Sequence, residues 1–368
     1  MLLAGNQTGT VEVGGAPANF ATDIACCFNK KAQLDQTPSF FKSKNFSLPE
    51  KRIAEKGRSQ GKPVPQIIID KRAKRKGFSV ALAKAMINQA TEEKSPMLRS
   101  YYNALHCCDT LHESEGKLIT KYCKTRICVI CGAIRTAKAI DTYFPIIKDW
   151  DAYFVTLTIP NVREESLRKT IDEMLDSFRN SQRAIKRKHV FKGVRKLEVT
   201  YNYGRNDYHG HFHVVVDGIN QALLLRDEWL NRNPTAKSIA QDVRKCNEGT
   251  LKEVFKYSMK ILASDNDKSR DPHLHPHAVD VIVNALHKRR TYQNFGFKLK
   301  KEFDEDDFDG EALQAPSGDR AEVSVWEWVG EAHNWVNKQT GEMLSTYWPS
   351  PRRLTFLKKI EEPSRRAR

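Results

Sequence analysis

The sequence predicts an α+β fold, an antiparallel sheet carrying helices beside a small cysteine-bearing module. Three observations predict it. Residues 151–246 alternate strand and helix patterns in the order strand, helix, strand, strand, helix, strand. The two central strands are joined by the turn-prone Gly204-Arg-Asn-Asp207, which folds them back on each other. Upstream, five of the eight cysteines fall between Cys107 and Cys131.

Residues 1–98 read as a basic N-terminal extension, partly disordered because breakers are frequent and periodicity is weak. Within it Ile67-Ile68-Ile69 reads as a short strand and Val80–Ala90 as a helix. Lys71-Arg-Ala-Lys-Arg-Lys-Gly77 reads as a solvated basic linker. Residues 99–140 form the cysteine module. Its Cys123-Lys-Thr-Arg-Ile-Cys128-Val-Ile-Cys131 run has the spacing of a zinc site, since thiolates bind Zn²⁺ tetrahedrally from two loops. Cys128 and Cys131 supply one pair and Cys123 the third ligand. Cys108 is the fourth, with Cys107 its alternative and His106 and His112 as substitutes. Four protein ligands leave no open position, so such a site is structural. Chance clustering of buried thiols is the competing explanation.

Residues 141–300 hold the main domain. Asp151–Pro160 alternates Val155, Leu157 and Ile159 with threonines, the pattern of a half-buried strand. Glu164–Lys188 places Leu167, Ile171, Leu175 and Phe178 at helical spacing. Lys196–Asn202 and His209–Val216 are the hairpin strands; Ile219–Leu230 is a helix and Lys237–Cys246 a strand. This order is a split βαβ, or ferredoxin-like, arrangement. The strand period of two sends His211, His213 and Val215 to one face and Phe212, Val214 and Val216 to the other. Two imidazoles on a stiff strand suit a divalent cation, although surface-facing histidines give the same pattern. The hairpin can bring Glu198 close to His213, completing a three-ligand site with open positions.

Gly249–Lys260 reads as a helix with a core stripe of Leu251, Val254 and Phe255; Glu253, Tyr257 and Lys260 share a neighbouring face. By composition alone Tyr257 is a packing tyrosine. Asp280–Lys288 is a further helix, and Tyr292–Phe297 is strand-like. Residues 301–368 form a linker, acidic and solvated over Glu302–Glu311, and a partly β appendage bearing Trp326, Trp328, Trp335 and Trp348.

Formal net charge is +16, from 61 Lys and Arg against 45 Asp and Glu, which favours a polyanionic partner such as nucleic acid. A membrane partner is excluded, because no apolar run reaches transmembrane length and no basic amphipathic helix with aromatic anchors stands out. The start, Met1-Leu-Leu-Ala-Gly-Asn6, lacks the flank and core of a secretory signal, so the cytoplasm is the expected compartment.

Taken together, Phe154-Val-Thr-Leu-Thr-Ile-Pro-Asn161, Leu197-Glu-Val-Thr-Tyr-Asn202, Tyr208-His-Gly-His-Phe-His213 and Glu253-Val-Phe-Lys-Tyr-Ser-Met-Lys260 resemble the HUH endonucleases. Within them the chain is similar to the Rep proteins that initiate rolling-circle replication of small bacterial plasmids, in the subgroup with a single catalytic tyrosine. The cysteine-rich segment also resembles that family's zinc-binding region. Gly210 stands where the family often has proline, and the N-terminal stretch and tryptophan-bearing tail have no counterpart.

The resemblance implies that one strand of the origin is nicked through a 5′-phosphotyrosine at Tyr257. Mg²⁺ or Mn²⁺ would sit on His211, His213 and Glu198, and structural Zn²⁺ on Cys108, Cys123, Cys128 and Cys131. Glu253 would activate water for a terminating second cleavage, and Lys260 would lower the phenol's pKa or contact phosphate. The basic side chains expected on DNA are Arg135, Lys138, Lys256, Arg289 and Arg290. The implied partners are origin DNA, single-stranded or as a hairpin, and a host helicase and polymerase. A transposase or mobilisation relaxase on the same core is the alternative. A non-catalytic zinc-containing nucleic-acid binder is a further one, but it leaves the joint occurrence of His-x-His and Glu-x3-Tyr unexplained.

Overall fold

A computed structural model describes residues 66–114, 116–247, 251, 254–255, 262–263, 273–299, 302–307, 312–314 and 324–362. It is a mixed α+β structure built on two five-stranded antiparallel sheets. In chain order the elements are α1 (Gln66–Glu92), α2 (Leu98–Leu105), β1 (Thr110–Ser114), β2 (Lys117–Ile119), α3 (Val129–Ile147), β3 (Ala152–Thr158) and α4 (Glu164–Lys186). Then follow β4 (Gly193–Asn202), β5 (Asp207–Asp217), α5 (Ile219–Arg232), β6 (Asp242–Lys245), β7 (Leu262–Ala263), β8 (His273–Leu274), α6 (Pro276–Leu286) and β9 (Tyr292–Phe295). The last are β10 (Ala312–Gln314), β11 (Ser324–Val329), β12 (Asn334–Asn337) and α7 (Pro351–Glu361).

The larger sheet has the order β6-β3-β5-β4-β9, with every neighbouring pair antiparallel. Its two faces follow from strand alternation. Val155, Leu157, Leu197, Phe212, Val214 and Val216 are buried on the face covered by α4 and α5. There Phe212 meets Phe178 of α4 at 5.1 Å and Trp229 of α5 at 5.6 Å between ring centroids. Arg195 is buried in that same layer, its guanidinium 4.9 Å from the Phe212 ring and 5.4 Å from Phe178, and burial lowers its pKa to about 10. On the opposite face α3 packs Ala139, Tyr143 and Ile147 against Phe154, Val194 and Val215, together with Leu251, Val254 and Phe255. Gly218, with φ +94°, makes the turn from β5 into α5 and donates its N–H to Asp151 O at 2.8 Å.

The smaller sheet has the order β10-β2-β1-β11-β12. The tryptophan-bearing strands therefore pair with the strands of the cysteine module: Trp326 lies opposite Leu111 and donates Nε1–H to the buried Glu113 at 2.9 Å.

Three local expectations are corrected. Ile67-Ile68-Ile69 lies in helix α1, not in a strand, because Ile68, Ile69, Ala73, Phe78, Ala81 and Leu82 recur at helical spacing and are buried together. The basic run after it is not a solvated linker. Lys76 is fully buried, its ammonium donating to Leu105 O, Cys107 O and Asp109 Oδ1 at 2.9, 2.8 and 2.5 Å, and Arg72 donates to Tyr122 Oη. The acidic stretch from Glu302 also packs: Glu305 is buried and accepts from Arg126 at 3.1 Å and from Thr291 N at 3.0 Å. Burial would raise the Glu305 pKa, yet the Arg126 charge and the Thr291 hydrogen bonds hold it below the ordinary carboxylate value.

Candidate metal centres and cationic surface

The hairpin of β4 and β5 builds the first candidate centre. Asn202 Oδ1 accepts from Arg205 N at 3.1 Å to cap the short helical turn of Tyr203–Arg205, and Asn206 takes a left-handed φ of +49°. That turn pairs Asn202 with Asp207, and the register carries back to set Glu198 directly across from His211 and Lys196 across from His213. Glu198 still reaches His213, with Oε2 at 3.7 Å from Nε2. One donor atom from each of Glu198, His211 and His213 lies within 4.8 Å of the others. The imidazole centroids are 4.7 Å apart and nearly perpendicular, and His213 stacks on Phe154 at 5.1 Å. A carboxylate and two imidazoles in this arrangement can hold one divalent cation.

His209 shares the parity of the other histidines but is engaged elsewhere: its Nδ1 meets Asn161 Oδ1 at 2.8 Å. Asn161 in turn donates to Asp207 at 2.6 Å, which ties the loop after β3 to the hairpin. Gly210 lies on the helix-covered face, where a Cβ would meet Met174 Sδ at 2.9 Å. The sequence reading missed Lys196. It is fully buried, with Nζ 3.0 Å from Glu198 Oε2. The available signal was its parity, two residues before Glu198 on the same strand face.

The second centre gathers Cys107, Cys123, Cys128 and Cys131, whose sulfurs all lie within 4.8 Å of one another. Cys123 Sγ is 3.6 Å and Cys107 Sγ 3.7 Å from Cys131 Sγ. Cys107 therefore occupies the fourth corner that was assigned to Cys108. Cys108 takes φ +59°, and its carbonyl accepts from Trp335 Nε1 at 2.7 Å. His106 is exposed and pairs with Asp109, and His112 is exposed on β1. Cys128 and Cys131 open α3, and Ser79 Oγ of α1 contacts Cys128 Sγ at 3.9 Å. Burial works against a Cys128 thiolate, but hydrogen bonds from Cys107, Cys123 and Cys131 hold its pKa well below the ordinary thiol value. Hydrogen bonding within the cluster raises the other three.

The basic side chains expected on DNA have internal partners. Arg135 is 5 % exposed and donates to Asp306 Oδ1 at 2.6 and 3.0 Å and to Thr125 O and Lys124 O. Lys138 donates to Asp307 O. Arg289 pairs with Asp172 at 2.6 Å and Arg290 with Glu302 at 3.0 Å, the latter on the surface. Between the cysteine loop and the turn from α6 to β9 lies a cavity of about 380 Å³ bordered by Lys124, Arg126, Lys288, Arg289 and Arg290. Its cationic character is felt by His287, whose pKa is lowered by burial and then by Lys288, Arg168, Arg126 and Arg289. Tyr257, Glu253, Lys260 and Lys256 lie outside the described residues. No helix among the described residues is long and apolar enough to cross a membrane.

Residues 117–340 match the family described as replication protein. A protein named rep from Staphylococcus aureus is 35 % identical over 159 residues, covering 38 % of this chain and 69 % of its own length. A second protein of that name, from Streptococcus pneumoniae serotype 2, is 24 % identical over 273 residues, covering 64 % of this chain and 83 % of its own. A third, from a Bacillus species, is 34 % identical over 102 residues, 26 % of this chain and 33 % of its own. No solved structure matches the chain.

Proposed function

The chain belongs to the replication protein (Rep) family of plasmid rolling-circle initiators, and from that premise we propose that it starts replication by nicking one strand of the origin through a 5′-phosphotyrosine. The observation that carries this reading is the convergence of Glu198, His211 and His213 on one face of β4 and β5. A replication protein that only bound DNA would have no use for two buried imidazoles and a carboxylate sharing one sheet face. The strand order β6-β3-β5-β4 supports a ferredoxin-like, HUH-type arrangement of the catalytic sheet.

The donor set, one carboxylate and two imidazoles with room for further ligands, fits Mg²⁺ or Mn²⁺. When bound, such an ion supplies Lewis-acid polarisation of the scissile phosphate. Glu198, His211 and His213 orient that phosphate from a sheet made rigid by the packing beneath Phe212. Tyr257 is the nucleophile: its phenolic oxygen bonds to phosphorus as the bond to the 3′ oxygen breaks, leaving a 3′-hydroxyl for a polymerase to extend. Glu253 activates water for the terminating cleavage, and Lys260 assists the phenol.

The four cysteine sulfurs suit Zn²⁺. A tetrahedral tetrathiolate with Zn–S of about 2.3 Å has edges of about 3.8 Å, close to the 3.6 and 3.7 Å seen. With four protein ligands its contribution is to folding. The partners of the reaction are origin DNA, single-stranded or as a hairpin, and a host helicase and polymerase in the cytoplasm.

The test is incubation of the protein with labelled origin-region oligonucleotides from the encoding replicon, with Mn²⁺ or with EDTA. A covalent protein–DNA band that needs the cation and disappears in Tyr257→Phe is expected. Absence of any adduct on every origin strand overturns the proposal.

A further inference from the structure

Lys196 is two residues before Glu198 on β4, so both side chains leave the same face of the strand. It is fully buried, and its Nζ lies 3.0 Å from Glu198 Oε2, the oxygen that also stands 3.7 Å from His213 Nε2. All four groups, Lys196, Glu198, His211 and His213, are 9 % exposed or less. An ammonium is strongly hydrated, and burying it is costly unless a paired charge offsets the loss. Holding a cation does not account for it, because a fixed positive charge beside three donors opposes the arrival of another.

We infer that Lys196 is a positioning residue that engages Glu198 in the DNA-free protein and makes divalent-cation binding conditional on phosphate. The inference rests on the reading of Glu198, His211 and His213 as the cation site. With both imidazoles neutral, as ligation requires, the charges of Lys196 and Glu198 cancel before any cation binds. A divalent cation alone then leaves two uncompensated positive charges in a poorly solvated site, which is unfavourable. A phosphodiester brings one negative charge and relieves half of that excess. The cation and the DNA strand therefore bind better together than apart, and by linkage each tightens the other by the same factor. A nicking enzyme built this way holds its cation weakly until a strand is in place.

The test is Mn²⁺ binding to the full chain, read from the electron paramagnetic resonance of free Mn²⁺, with and without a single-stranded oligonucleotide from the replicon's origin region. Lys196→Met, which removes the charge and keeps the length, is expected to tighten Mn²⁺ binding without DNA by about tenfold, within the usual range of site–site coupling. It should also shrink the enhancement that DNA brings, whereas Lys196→Arg keeps the wild-type pattern. Unchanged or weaker Mn²⁺ binding by folded Lys196→Met overturns the inference. If the methionine variant does not fold, Lys196→Gln takes its place with the same expectation. Glu198→Gln separates the two levels of argument. If it leaves Mn²⁺ binding intact, the cation-site reading itself fails; if it abolishes binding while Lys196→Met changes nothing, only the role of Lys196 fails.

Discussion

Replacing Arg135 with methionine distinguishes a DNA contact from an internal strut. The guanidinium makes two hydrogen bonds to Asp306 Oδ1 and one each to the carbonyls of Lys124 and Thr125, between the ligand cysteines Cys123 and Cys128. Removing one partner of a fully buried ion pair costs about 3–5 kcal/mol. That is a ceiling here, because the Asp306 side chain is 46 % exposed and water can resolvate its charge. The two carbonyls lose a charged donor but border the cavity beside the cysteine loop, so part of their loss is also recovered. The expected cost is about 2–3 kcal/mol, a value between the exposed and buried limits. In urea denaturation this lowers the midpoint by about 1 M with the slope unchanged. Asp306→Asn in the Arg135→Met background should cost less than it does alone, since the two share one interaction. DNA affinity of the folded variant should keep the wild-type salt dependence. An unchanged midpoint, with the slope of log affinity against log salt reduced by about 0.7–0.9, would refute the strut and restore a phosphate contact.

Phe212→Ala empties a site enclosed by Phe178, Trp229 and Arg195 and should cost about 3–5 kcal/mol in the same denaturation assay; a cost below 1 kcal/mol would mean that the layer under the histidines collapses to fill the space. His277 bridges Glu93 at 2.8 Å and Glu164 at 2.6 Å; burial opposes its protonation, but the two carboxylates raise its pKa above the ordinary value. A raised folded pKa stabilises fully below the unfolded value of about 6.5 and loses that stabilisation as pH rises through the folded value. The difference in melting temperature between wild type and His277→Gln should therefore be largest near pH 6 and shrink towards pH 9; a pH-independent difference would contradict the bridge. Cys128→Ser should speed amide exchange in residues 107–131 and in the paired strands β1 and β11, leaving β3 and β5 protected; uniform loss of protection would show that both sheets unfold as one unit.

The larger sheet was legible because β3, β4 and β5 alternate cleanly and the helices between them keep a helical stripe, two periods that do not imitate each other. The site face was legible for the same reason, as parity alone grouped His211 with His213. What parity could not supply was register: Glu198 is opposite His211 and reaches His213 diagonally, a matter of how many residues the turn at Tyr203–Arg205 absorbs. Lys196 escaped notice because a lysine in a strand ordinarily points to water. Only the assembled site explains its burial. The strand expected over Lys237–Cys246 is shorter, since Ser238–Ala240 forms a helical turn before β6. Cys107 and Cys108 are neighbours with the same spacing to the other thiols, and only the positive φ of Cys108 separates them. The roles of Arg135 and the acidic stretch were illegible separately because each is the other's partner across some 170 positions of sequence.

Helix α3 joins the two centres. Its first turn carries Cys128 and Cys131, while Ala139, Tyr143 and Ile147 pack on Phe154 and Val215 of the larger sheet. The same side chains meet Leu251, Val254 and Phe255, and Tyr143 stacks on the Phe255 ring at 6.3 Å. Those residues lead into the segment that carries Glu253 and Tyr257. A helix of 19 residues is about 28 Å long and transmits position along its axis with little bending. The cysteine centre therefore fixes one end of a rod whose other end supports both β3, beside the histidine strand, and the chain leading to the proposed nucleophile. Nucleophile and cation site reach the reaction from different parts of the sequence, and α3 gives them a common support. On this view a structural centre remote from the chemistry contributes to its alignment. The sensitivity of nicking to the cysteine ligands should then reflect lost geometry as well as lost stability.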